Sequence, residues 1–334
     1  MTLRKVRMIN PFSLQYIKKY IVRIIFFVIF TILLLIIPYP NVYFQKVART
    51  KGVALYSESN LPPPPPYPIN KGLSPVPVIS AEGVYIKDIN SGAVIYSKNG
   101  DEKFSPASTT KIITSLVALD KYNIDEVLTV KSIINDGRTM GLVSGEKLTF
   151  ETLLYGALVH SANDAAYTIA ENYPGGIGEF IKKMNEKTTA IHLNNSHYTN
   201  PIGFDDNNQY TTPSDLAKQA IVGLSNKTFS KIVGTKSITV SDISYTYFHS
   251  LINVNELLGK VPGVSGVKTG FTQNAGEVLV SEVKKNGRNI IVVVLKSRDR
   301  FGDTVKLVDW VFNNFEWLPI NEITPAPESP VLFK

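Results

Sequence analysis

The chain has no cysteine among its 334 residues. That excludes disulfides, thiolate catalysis and cysteine-ligated metals, and it suits an exported protein that folds without oxidative help. Histidine is almost as scarce, with four in all. His192 and His197 stand five apart, off a shared helix face, and neither they nor His160 and His249 have acidic neighbours in a ligand pattern, so no metal and no cofactor is expected. No glycine-rich phosphate loop, nucleic-acid module or internal repeat occurs either. What is plentiful is apolar: 44% of the residues are hydrophobic, ample for a core. Outside the N-terminus the net charge of +7 is dispersed, which fits attraction to anionic surfaces and plain solubility equally well.

The first 80 residues do not read as globular. Residues 20–37 are apolar apart from Tyr20, Arg23 and Thr31, and 18 residues at 1.5 Å rise almost cover a bilayer core. Arg4, Lys5, Arg7, Lys18 and Lys19 precede this stretch, while only Lys46, Arg49 and Lys51 follow it closely. Positive-inside logic therefore puts a basic segment (1–19) in the cytoplasm, a membrane anchor over 20–39 and everything downstream outside. A cleaved signal peptide is the rival reading, but no small-x-small site follows promptly, and an uncleaved anchor is preferred. Residues 40–80 hold the run Leu61-Pro62-Pro63-Pro64-Pro65-Pro66-Tyr67-Pro68 and then Pro75 and Pro77, a composition that makes an extended spacer.

From Ala81 the pattern becomes globular. Residues 83–88 and 93–96 flank Asn90-Ser91-Gly92 as a β-hairpin. Helical spacing runs over 149–160, 164–172, 178–190 and 213–224, the last with Thr212 as N-cap and Pro213 at the first position. Strands are expected over 236–240, 266–272, 277–283 and 289–295, with Lys285-Asn286-Gly287 turning the last pair, and a helix over 301–315 closes the domain. Strands at both ends of a helical block imply an α+β fold, one antiparallel sheet covered by helices, spanning 81–320 with a tail at 321–334.

The chemistry begins at Pro106-Ala107-Ser108-Thr109-Thr110-Lys111. Pro106 reads as a helix start, so Ser108 falls in a first turn, where free N–H groups favour negative charge. Lys111, three residues on, lies close enough to accept the Ser108 hydroxyl proton. Ser-x-x-Lys alone is weak, since it also starts at Ser144, Ser265 and Ser281. Two companions strengthen it. Ser161-Ala162-Asn163 sits at a helix junction, where either polar residue has the plainer alternative of capping the next helix. Lys268-Thr269-Gly270 occurs once, in a strand whose small residues mark close approach of a backbone or ligand.

Ser-x-x-Lys, Ser-x-Asn and Lys-Thr-Gly, in that order, are the motif set of serine β-lactamases and penicillin-binding proteins. With Asn200-Pro201-Ile202-Gly203-Phe204 and Gly266 to Thr272, the chain over about 80–320 resembles the D-alanyl-D-alanine carboxypeptidases among the low-molecular-mass penicillin-binding proteins (peptidase family S11-like). The resemblance implies the penicilloyl-serine transferase (β-lactamase-like) fold, an α/β/α sandwich with a helical lobe. It further implies Ser108 as nucleophile, Lys111 as general base and Ser161 as proton relay. Asn163, Lys268, Thr269, Gly270 and Phe271 would bind substrate, the backbone N–H groups of Ser108 and Phe271 would form the oxyanion hole, and Arg300, or else Arg298, would meet the terminal carboxylate. The implied partners are a peptidoglycan stem peptide ending in D-Ala-D-Ala and, as covalent inhibitors, β-lactam antibiotics.

Three features depart from the family pattern. Ala162 stands where Gly or Asp is common, the C-terminal β-domain and amphipathic tail of many members are not expected after the closing helix, and no Glu-x-x-Leu-Asn follows Ser-x-Asn. The last argues against efficient β-lactam hydrolysis. A D,D-endopeptidase or β-lactamase on the same residues, and an idle wall-binding scaffold, are the alternatives.

Overall fold

A computed structural model describes residues 11–36 and 62–323. The chain divides into two units, Met1–Leu61 and Pro62–Lys334. In the first, helix α1 (Pro11–Ile36) presents exposed apolar side chains over the part whose side chains are described, among them Ile21, Phe26, Phe27 and Phe30. Among the described residues no helix is long and apolar enough to cross a membrane, so the structure does not bear out the expected span over 20–39. Residues 37–61 lie outside the described residues, as does the expected tail from 324 onward.

The second unit runs β1 (Tyr67–Asn70), β2 (Gly83–Asp88), β3 (Val94–Lys98), a 3-10 turn (Ala107–Thr110) and α2 (Lys111–Leu119). Then come β4 (Val127–Thr129), β5 (Lys147–Thr149), α3 (Phe150–Leu158), α4 (Asn163–Glu171), α5 (Gly176–Ala190), α6 (Pro213–Ser225) and α7 (Lys227–Val233). It closes with β6 (Ser237–Ser241), β7 (Phe248–Ile252), β8 (Val264–Thr272), β9 (Gly276–Lys285), β10 (Arg288–Ser297), α8 (Arg300–Asn314) and β11 (Phe315–Leu318).

The central sheet is antiparallel, ordered β3-β2-β10-β9-β8. β9 and β10 are covered on both faces, which is why they read as nearly continuous apolar runs. Their alternation divides two cores. Ile290, Val292 and Val294 pack with Leu307, Val308 and Val311 of α8, whereas Ile291, Val293 and Leu295 pack with the helical lobe around Ile112, Ile113 and Leu216. Each such fully buried side chain contributes about 1.5 to 3 kcal/mol. The result is the expected α/β/α sandwich. Asn286 (φ 53) and Gly287 (φ 72) make the two-residue turn that pairs Lys285 with Arg288.

The spacer ends earlier than residue 80. β1 pairs with β11. Beyond it, the Trp310 indole N–H donates to the Ser74 carbonyl at 3.2 Å, and the Asp303 carboxylate accepts from the backbone N–H groups of Ser80 and Ala81. Residues 62–80 are thus bound to the sheet and α8, with two of their apolar side chains, Val76 and Ile79, packed against the α8 core.

Candidate active site

Ser108 lies on the 3-10 turn rather than in a regular helical first turn, and the α-helix starts at Lys111 itself. Ala107 adopts φ 46, left-handed backbone uncommon for a residue with a Cβ, and this bends the chain just ahead of the serine. In a 3-10 turn side chains three apart eclipse, which stacks Lys111 against Ser108. The Lys111 ammonium nitrogen is 3.1 Å from Ser108 Oγ, 2.7 Å from Asn163 Oδ1 and 2.8 Å from the Ile202 carbonyl. Lys111 is fully buried, and that burial lowers its pKa to about 7, while the Asp164 carboxylate pulls the other way.

Ser161 (φ 62) also holds left-handed backbone, a strain of the kind that collects at functional sites. The capping alternative fails here: α4 begins after Ala162 with no side-chain cap, and Asn163 Nδ2 instead donates to the Asp136 carbonyl at 2.8 Å. Ser161 Oγ accepts from the Lys268 ammonium at 2.8 Å, which also donates to the Thr269 carbonyl. Burial, reinforced by the positive charges of Lys111, Arg300 and Arg138, pushes the Lys268 pKa well below the usual lysine range. The Ser265 that begins a second Ser-x-x-Lys points elsewhere, to Glu282, because residues three apart on a strand face opposite ways.

Gly270 explains the small residues of β8. A Cβ there would sit 2.8 Å from the Ser108 backbone nitrogen, so only glycine lets the strand lie against the nucleophile's turn. Gly203 (φ +94) does the same on the other side, where a Cβ would overlap the Ala107 carbonyl.

Arg300 opens α8; its backbone N–H reaches Glu277 at 2.9 Å and its guanidinium the Gly270 carbonyl at 3.2 Å. Ser108, Ser161, Asn163, Thr269, Gly270, Phe271 and Arg300 line one cavity of about 250 Å³, with Lys111 and Lys268 buried beneath it. The wall also includes Gly137, Arg138, Gly203, Phe204 and Val254, for which the sequence carried no assigned role. Arg138 sits in a segment between strands with no motif to flag it. Gly203 had a signal, since Asn200 to Phe204 stood out, but only packing reveals what it touches.

A serine hydroxyl beside a lysine amine kept from full charge, in a cavity lined by hydrogen-bond donors, defines a serine hydrolase that works by acyl transfer. The family match then places it: the model of the D-alanyl-D-alanine carboxypeptidases, peptidase family S11, matches residues 71–299, and the chain belongs to that family. It is 34% identical over 250 residues to the D-alanyl-D-alanine carboxypeptidase DacF of Bacillus subtilis, a match over 72% of this chain and 64% of DacF. To the D-alanyl-D-alanine endopeptidase of Pseudomonas aeruginosa it is 31% identical, over 81% of this chain and 86% of that protein. The crystal structure of the Streptomyces K15 DD-transpeptidase superposes with a TM-score of 0.68 at 32% identity, covering 72% of this chain and 100% of that one.

Proposed function

We propose that this is a membrane-anchored serine D,D-carboxypeptidase that removes the terminal D-Ala from peptidoglycan stem peptides outside the cytoplasm. The observation that carries the reading is the 3.1 Å approach of Lys111 Nζ to Ser108 Oγ, with the lysine lowered to about 7. At that value a large share of Lys111 is neutral near pH 7, and with Asn163 and Ile202 accepting its N–H groups the lone pair is aimed at the serine.

The substrate's terminal carboxylate enters toward Lys268, Thr269 and Arg300, and its negative charge draws Lys268 back toward the charged form. Asn163 and β8 hold the peptide on the acyl side. Ser108 Oγ attacks the carbonyl between the two D-Ala residues and gives its proton to Lys111, while the backbone N–H groups of Ser108 and Phe271 stabilise the oxyanion; one such donor is worth about 3 kcal/mol. Lys111 returns that proton through Ser161, to which Lys268 donates, onto the departing amine, and D-Ala leaves; neutral again, Lys111 takes a proton from the water that attacks the ester and gives it to Ser108 Oγ as the acyl group departs. β-Lactams acylate the same serine. Their ring-opened remainder stays attached, and with no Glu-x-x-Leu-Asn carboxylate to bring in water the adduct persists.

The anchor rests on the sequence, on the apolar stretch 20–37 with cations before it. Release of the full-length chain from membranes by alkaline carbonate would overturn it. The activity is tested by free D-Ala release from a muramyl pentapeptide beside the decay of a fluorescent penicilloyl adduct. Rapid D-Ala release with slow adduct decay is expected. Cleavage of cross-linked dimers alone would favour the endopeptidase reading that the Pseudomonas relative suggests, rapid penicillin turnover a β-lactamase, and absence of labelling a wall-binding scaffold.

A further inference from the structure

The cavity holds more positive charge than one terminal carboxylate uses. Arg300, on the sheet side, is tied to Gly270 and Glu277 and is the residue the proposed reaction assigns to that carboxylate. Arg138 lines the same cavity from the helical lobe and is an exposed residue. Among the described residues no carboxylate pairs with it. None of the residues lining the cavity is acidic.

Its backbone is not a loose loop. The Arg138 carbonyl accepts the Asn163 N–H at 2.7 Å, and the Asp136 carbonyl accepts Asn163 Nδ2 at 2.8 Å. The buried Asp164 carboxylate then takes the N–H groups of Met140, Gly141 and Leu142 at 3.0 to 3.1 Å. Gly137 packs so closely that a Cβ would sit 2.6 Å from Asn163 Nδ2. Residues 136–142 are therefore locked to the Ser-x-Asn corner, and Arg138 is delivered beside Asn163, the residue that the proposed reaction sets on the acyl side of the bond. An exposed arginine on a fixed backbone, with no carboxylate paired to it among the described residues, is a receptor for an anion that arrives with the substrate.

We infer that Arg138 is a specificity residue that recognises a second carboxylate on the substrate, carried by the side chain of the residue preceding D-Ala-D-Ala. The inference rests on the reading of the site as a D,D-peptidase, and it narrows the substrate class: stem peptides whose third residue ends in a free carboxylate, in preference to those where that group is amidated or replaced by an amine. The positive charge of Arg138 also reaches into the site, where it helps depress Lys268. A substrate carboxylate on Arg138 would relieve that effect while it orients the peptide.

The test uses the full chain and two pentapeptides that differ only in the third side chain, carboxylate against carboxamide, with D-Ala release giving kcat and KM. The wild type should prefer the carboxylate peptide by about fivefold, the upper end for a solvent-accessible ion pair, chiefly through KM and less so in high salt. Arg138→Gln should bring the ratio of the two peptides to about one, and Arg138→Lys should keep part of it. Equal use of both peptides by the wild type, or a parallel fall for both in Arg138→Gln with the ratio preserved, would overturn the inference, since a structural or purely electrostatic role moves both alike. If neither peptide yields D-Ala while penicillin still labels Ser108, the carboxypeptidase reading fails. The two peptides' competition against labelling then decides Arg138 by itself, with equal competition counting against it.

Discussion

Two Ser–Lys pairs meet in this cavity, and they are assembled by opposite routes. Ser108 and Lys111 are three residues apart on one turn, so their 3.1 Å approach is a local property of the backbone. Ser161 and Lys268 are 107 residues apart, one on the rim of the helical lobe and one on β8, and their 2.8 Å contact exists only because the lobe packs on the sheet edge. Burial depresses both lysines, but the partners differ. Lys111 is held by two neutral acceptors, with the Asp164 carboxylate favouring its charged form, whereas Lys268 faces three other cations. The same two functional groups thus divide naturally into a local pair suited to taking a proton from a nucleophile and a long-range pair suited to meeting an arriving anion and passing a proton on.

The largest effect expected from separating the pairs is at the serines. Ser108→Ala should abolish covalent penicillin labelling with the fold retained by circular dichroism, while Ser161→Ala should still label, about a hundredfold more slowly. Labelling of Ser108→Ala would reverse the assignment of the two pairs. At the lysines, Lys111→Ala should slow acylation by about a thousandfold with little change in the non-covalent affinity for peptide, because a general base acts only in the transition state. Lys268→Ala should weaken peptide affinity as well as rate, and identical profiles for the two variants would erase the distinction.

A smaller effect is expected in pH dependence. Lys111 works only when neutral, so acylation should rise as pH increases through about 7 and level off above it. A flat rate between pH 5.5 and 8.5 would mean that another group takes the proton. Smallest is the shift expected from Asp164→Asn. Removing the charge that favours protonated Lys111 should move the midpoint to lower pH, measured with penicillin acylation on protein of verified fold; a shift upward would contradict the electrostatic account.

Much of the fold was legible because its signals are local. Thr212 caps α6 by accepting the Asp215 N–H, Thr149 caps α3 through Thr152, and Asn286-Gly287 turns the β9–β10 hairpin. Other elements escaped. Helix α7 is only seven residues long, although its Asn226 cap, which accepts from Thr228 and Phe229, was there to be seen. β1 was hidden inside a proline-rich run, since its pairing partner among the described residues, β11, lies far along the chain. β7 pairs with β6 as a separate two-stranded sheet, with Phe248 and Ile252 outward and His249 and Leu251 inward.

The sequence by itself determined which groups could react and where the local turns fall: three ordered motifs, the helix caps, the alternation of β10 and the spacing that sets Lys111 beside Ser108. Only the tertiary structure decided that Asn163 binds Lys111 rather than capping a helix, that Lys268 rather than a nearer lysine serves Ser161, and that Arg138 reaches the cavity. It also decided how acidic the lysines are. A cap or a 3-10 turn needs neighbours a few residues away, which the sequence displays directly. Desolvation needs the sheet, the lobe and the 200–204 segment to close over one ammonium group at once, and that enclosure is a property of the packed chain.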